Sequence, residues 1–319
     1  MNENYLKFWN IEEPIFQRFL PKGKVFLNDH LSKLWKHILI LVEQNQTLTI
    51  ISGGPGRGKT LLTHWIYGIL DPMTHECYMT SLSKNEALPG GFLSRLNEFL
   101  IGKSELNGSR WNATAEGFNQ LRVENRHLVL IIDAAEQLQS PEALEDIIYL
   151  YNLSRTSQQA FSLLLVGDST LWDRIKISPE LRVRISLLWN VPPLNEADTL
   201  SYISWYVQLS GLTFDPFDRE AKEKIYYFSQ GIPAIVNLIA ENCLIEAFLL
   251  NIDTVNVAII ENVIQMLKSG SNRKAEQKKE RSRQSKHNQV NLNNRNISSK
   301  EKERDEVDGE NLSFSLRDS

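Results

Sequence analysis

The stretch that most restricts how this chain can fold is the β-rich run Thr47–Ser52, the loop Gly53-Gly54-Pro55-Gly56-Arg57-Gly58-Lys59-Thr60, and the helix-forming run over 60–70. An apolar run, a glycine loop and a helix in immediate succession specify a strand–turn–helix unit. The eight loop residues fit G-x-x-x-x-G-K-[ST] at every fixed position. Glycines let successive N–H groups curl around phosphate oxygens without a Cβ in the way. The helix behind them aims the positive end of its dipole at the same anion. Lys59 is placed to neutralise β- and γ-phosphate charge, and the Thr60 hydroxyl to ligate Mg²⁺. The expected cofactors are therefore ATP and Mg²⁺, contacted by residues 53–60 and by Leu61 behind them.

The same alternation runs on through the chain. A weak strand at 76–80, a helical stretch at 118–124, the strong apolar run 127–132, a helix at 141–151, and strands at 161–166 and 185–191 follow. Short apolar runs separated by helices predict a parallel sheet covered on both faces. After Pro192-Pro193 the strand signal stops. Helical patterns over 196–209, 219–229, 232–250 and 253–268 predict a small all-helical second part. The expected division is an aromatic and helical opening segment (1–45), an α/β nucleotide-binding core (46–192), a helical lid (193–268) and a disordered polar tail (269–319). The tail is expected to be disordered because so polar a segment cannot bury enough surface to offset its ordering entropy.

Charge separates body from tail. Residues 271–319 hold 12 Lys/Arg and 9 Asp/Glu, against 23 and 30 in residues 1–270, so the body is acidic and the tail basic. The whole-chain net charge of −4 predicts no bulk attraction to nucleic acid or an anionic membrane. The cysteines, Cys77 and Cys243, form neither a disulfide framework nor a metal set. The N-terminus has no basic stretch followed by an apolar run, and 232–250 is interrupted by Asn237, Glu241, Asn242 and Glu246. No signal peptide or transmembrane segment is expected, and the location expected is the cytoplasm.

A site of this kind needs an acidic residue at the end of a neighbouring strand to hold the metal. Asp133, closing the run Leu-Val-Leu-Ile-Ile, fits. The next position usually carries a glutamate that polarises the attacking water, and here it is Ala134. Glu136 can reach that water by another route or be pointed away by a turn.

The segment Tyr5-Leu-Lys-Phe-Trp-Asn-Ile-Glu-Glu-Pro14-Ile-Phe, with 165–171, 181–185, Pro193-Leu-Asn and 231–238, resembles the ExeA/GspA-like AAA+ ATPases in order over residues 5–268. The broader group includes ATPases that regulate transposition. The resemblance implies a RecA-like α/β domain with five parallel strands and a helical lid, ATP held between them, and a ring or filament in which a neighbour's arginine completes the site. It places Asp168 at the position that senses the γ-phosphate, where the family usually has Gln or Asn. It makes Arg184 the arginine-finger candidate, with Arg182 second. The family's Gly-x-Pro-Arg is here Gly231-Ile232-Pro233-Ala234, without the arginine.

Ala134, Asp168 and Ala234 thus fall on the parts that sense or cleave the γ-phosphate, and losing one positive contact there costs about 10³-fold in rate. The expectation is a slow ATPase that uses nucleotide binding to assemble and regulate a partner complex of the secretion or pilus kind. Two alternatives stay open: a DNA-binding transposition regulator that recruits a transposase through its tail, and a hydrolysis-deficient scaffold. The alternation of Leu312, Phe314 and Leu316 within 311–319 fits a peptide that adds to a partner's sheet edge. The N-terminal aromatic cluster is expected to pack on the sheet or the adenine side.

Overall fold

In a computed structural model the described residues are 3–16, 20, 24–44, 47–83, 90–102, 109–138 and 141–269. The expected tail beyond residue 269, with the peptide 311–319, lies outside the described residues.

The described strands are β1 (Thr47–Ser52), β2 (His75–Ser81), β3 (His127–Asp133), β4 (Phe161–Gly167) and β5 (Ile185–Asn190). They form a five-stranded sheet in the order β2-β3-β4-β1-β5, every pair parallel. Because side chains alternate across a strand, an unbroken apolar run serves a sheet covered on both sides. In β3, Leu128, Leu130 and Ile132 join the cluster formed with helices α4 (Gly91–Ile101), α5 (Arg110–Val123) and α6 (Pro141–Ser157). Val129 and Ile131 face the opposite cluster, with α2 (Asp29–Glu43) and α3 (Lys59–Ile69). Helix α2 enters through Asn28, whose side chain accepts from the Leu31 amide at 2.9 Å, and it buries Leu34, Ile38 and Val42 at i, i+4, i+8.

Beyond β4 come two short helices, α7 (Leu171–Ile175) and α8 (Pro179–Arg182), and after β5 the chain is helical. Helices α9 (Glu196–Leu209), α10 (Arg219–Ser229) and α11 (Pro233–Leu249) follow, then a helical run over 257–269. Caps fix the first two starts: Asn195 accepts from the Asp198 amide at 2.7 Å, and Asp218 from the Ala221 amide at 2.6 Å. Contacts divide the chain into Met1–Ile260, which holds all the numbered elements, and Glu261–Ser319, whose described part continues the last helical run.

The structure departs from the sequence reading in two places. The helix expected at 118–124 begins at Arg110, and α4 before it was not anticipated. The N-terminal aromatic residues lie on the C-terminal helices rather than on the sheet. The first helix, α1 (Glu3–Trp9), sets Tyr5 and Phe8 against Phe248 of α11, while Phe16 stacks on Tyr206 and meets Phe217. Glu241 on α11 ties the segment down, accepting from the Tyr5 hydroxyl at 2.9 Å and the Phe16 amide at 3.1 Å. The bond partners of the aromatic cluster come from residues more than 200 positions away, which no local pattern reveals. Among the described residues, no helix is long and apolar enough to cross a membrane.

Candidate nucleotide site

Parallel pairing gathers the C-terminal strand ends on one edge of the sheet. Ser52 pairs with Gly167 on one side and Asn190 on the other, and Ser81 pairs with Asp133. Ligands of open parallel sheets sit at such an edge, and the glycine loop leaves β1 there. Gly56 (φ +74°) and Gly58 (φ +84°) adopt left-handed backbone, which glycine enters without steric cost. Gly58 starts α3 with no side-chain cap, so the amides of Lys59, Thr60 and Leu61 have no capping side chain, and the space a Cβ on Gly58 would fill is open.

The Lys59 ammonium curls back over the loop, donating to the carbonyls of Gly53 at 2.8 Å and Gly54 at 2.9 Å. Burial pulls its pKa below the ordinary lysine value, while Asp133, Glu136 and Asp168 each pull it up. These acidic groups therefore converge on one cation. The Thr60 hydroxyl donates to Asp133 Oδ2 at 2.7 Å, and Asp133 Oδ1 accepts from the Ala134 amide at 2.9 Å. Among the described residues no group of three His, Cys, Asp or Glu is arranged to hold a metal. The oxygen pair Thr60 and Asp133 suits Mg²⁺, which binds through few protein oxygens together with phosphate and water. The loop's uncapped amides, its curled cation and this oxygen pair fit Mg·ATP.

Ala134 takes a left-handed conformation (φ 54°, ψ 35°) and starts a 3-10 turn over Ala135–Gln137. That turn brings Glu136 back over the tip of β4, where Oε2 accepts from the Asp168 amide at 3.1 Å. Asp168 is itself held locally: its Oδ1 accepts from the Thr170 hydroxyl at 2.6 Å and the Thr170 amide at 2.7 Å. The Thr170 hydroxyl is the main cause that lowers its pKa below the usual carboxylate value, and Arg174 and Lys59 add attraction.

Pro55 is exposed and Arg57 half-buried. The Arg57 guanidinium covers Gly54 and donates to the Val191 carbonyl at 2.8 Å, joining the loop to the connection that leads to α9. The amide of Ala234, at the start of α11, donates to the Gly56 carbonyl at 3.1 Å. In place of the arginine side chain of the resemblance, the helix backbone itself touches the loop.

Arg184 is not brought to this edge. It precedes β5, donating to the Glu180 carbonyl at 2.5 Å and to Asn152 Oδ1 at 3.1 Å. A parallel strand of six residues separates it by roughly 20 Å from the loop edge. The sequence reading missed the contacts of Gly167 and the carbonyl of Val191. A glycine closing an otherwise apolar strand is the signal that pointed to a close approach at 167.

A family model described as an AAA domain matches residues 42–175. Over 249 residues, 76% of this chain, the sequence is 22% identical to general secretion pathway protein A of Aeromonas hydrophila. The alignment covers 45% of that protein, so the chain spans less than half of the relative's length. Among solved structures, the ADP form of the Aeropyrum pernix ORC2 protein superposes with a TM-score of 0.62 at 16% identity, over 79% of this chain and 71% of that one. A chain of Drosophila ORC bound to DNA gives 0.59 at 14% identity, over 83% and 66%. These structural likenesses are those of a shared fold.

Proposed function

We propose that this chain, an ExeA/GspA-like AAA+ P-loop protein, binds Mg·ATP on loop 53–60 and hydrolyses it slowly to assemble and regulate a partner complex. The observation that carries the reading is the coincidence at one sheet edge of uncapped loop amides, the Lys59 ammonium and the Thr60–Asp133 oxygen pair. Bound Mg²⁺ would supply charge neutralisation and a template for the phosphates. The chain's own part is to hold it with Thr60 and Asp133, to set Lys59 against the phosphates, and to place Glu136 where a water can lose its proton.

Slow turnover follows from the substitutions around that core. Ala134 removes the usual water-polarising acid, Ala234 removes a positive contact, and ionised Asp168 repels a γ-phosphate unless Mg²⁺ shields it. Similarity to general secretion pathway protein A supports a partner complex of the secretion type; a pilus-type machine and a cytoplasmic location complete the proposal. Arg184, remote from its own loop, would act on a neighbour's nucleotide in a ring or filament, and 311–319 would bind the protein partner.

A second reading has one observation in its favour: a structure of the same fold, that of Drosophila ORC, is bound to DNA. It makes this chain an ATP-dependent DNA-binding regulator. Phosphate release with Mg·ATP, compared between wild type and Lys59→Ala, tests hydrolysis; release that is absent in both leaves only a nucleotide-switch scaffold. Retention of duplex DNA on a filter only with ATP, weakening steeply with salt, would move the assignment to the second reading.

A further inference from the structure

We infer that Gly167 is a positioning residue whose missing side chain lets the Glu136 carboxylate occupy the mouth of the loop in place of the acid absent at 134. The inference rests on the hydrolysis reading above. Asp133 and Ala134 are adjacent, and a glutamate at 134 would project from the strand end directly. Here the strand end is followed by the left-handed kink at Ala134 and a single 3-10 turn, so the acid that returns to the sheet edge comes three residues after Asp133.

To return there, Glu136 has to cross the tip of β4. A Cβ built on Gly167 lies 2.6 Å from Glu136 Oε2, 3.0 Å from Leu171 Cδ2 and 3.2 Å from the Glu136 amide nitrogen. The closest of these is the far end of a flexible side chain. Its backbone is not in the left-handed region, so alanine is conformationally acceptable at 167. Adding one methyl group therefore meets the carboxylate first, and Leu171 and the Glu136 backbone less closely.

The carboxylate is held in place from below. Oε2 accepts from the Asp168 amide, and among the described residues Oε1 carries no hydrogen bond. One oxygen is anchored and the other is available to a water. In the step this arrangement serves, the water oxygen forms a bond to the γ-phosphorus as the β–γ bridging bond breaks. ADP departs with the bond's electron pair, and the water proton passes to Glu136.

The test is a double-mutant cycle on the full chain, reading phosphate release and the affinity for a fluorescent ADP analogue together. Gly167→Ala is expected to slow release by between about tenfold and a hundredfold, the scale of losing a positioned base, with affinity unchanged within about twofold. In a Glu136→Gln background the same substitution is expected to cost nothing further. Normal release by Gly167→Ala, an equal loss in both backgrounds, or a parallel loss of affinity would each overturn the positioning role while hydrolysis stands. Absence of any Lys59-dependent release in the wild type would overturn the hydrolysis reading and this inference with it.

Discussion

His127 shows how strongly single positions in this sheet depend on burial. It is 8% exposed, at the start of β3, with Nε2 3.0 Å from Ser162 Oγ, which in turn accepts from Thr47 at 2.9 Å. Burial, with the nearby His75 adding repulsion, pulls its pKa down to about 4. In the unfolded chain the ring titrates near 6.5. Protons therefore bind the unfolded state first, and stability falls as pH drops from about 6.5 to about 4, by roughly 3 kcal/mol in all. Urea unfolding at pH 7 and pH 4.5 should show most of that loss, and His127→Asn should flatten it. An equal acid sensitivity in the variant would assign it to other groups. At this scale the placement of Lys59, Thr60 and Asp133 at one sheet edge was legible because it follows from sequence position beside a strand. The reach of Glu136 was not, because it depends on one left-handed residue, Ala134, and on the empty space at Gly167.

Between elements, the contacts that matter are backbone to backbone. Gly231, between α10 and α11, has φ +69°, and a Cβ there would lie 1.8 Å from the Leu194 carbonyl oxygen; the Leu194 amide donates to the Gly231 carbonyl at 2.8 Å. No side-chain adjustment relieves such an overlap. Gly231→Ala should cost on the order of 3 kcal/mol in urea unfolding. Gly68, exposed in α3 with open space where its Cβ would go, is the contrasting case. Its change to alanine should stabilise by up to about 1 kcal/mol through the unfolded chain's entropy and helix propensity. Equal effects at the two sites would contradict this account of the 231 contact. The strands and α9 to α11 could be read from their apolar patterns. Helix α4 and the early start of α5 could not: Gly90 caps the first and Gly91 opens it, and Thr114 of α5 is buried in a hydrogen bond to Asn97 of α4.

For the whole molecule, the sheet sets a polarity: the loop at one edge, Arg184 at the other. Placed that way, Arg184 is out of reach of its own loop, and this links the proposed assembly to the proposed chemistry. Arg184→Ala should leave nucleotide affinity unchanged and remove the part of phosphate release that rises with protein concentration. A variant that releases phosphate like the wild type at every concentration would end that role. Size measured with ATP, ADP and no nucleotide should differ with ATP, and an unchanged monomer in all three would contradict assembly. The most direct measurement on the central claim is calorimetric titration of ATP into the full chain, with and without Mg²⁺, for the wild type and Lys59→Ala. Binding of one nucleotide per chain, strengthened by Mg²⁺ and weakened about a hundredfold or more by the substitution, is the predicted result; a wild type that binds no ATP, or a Lys59→Ala chain that binds it equally well, would contradict the account.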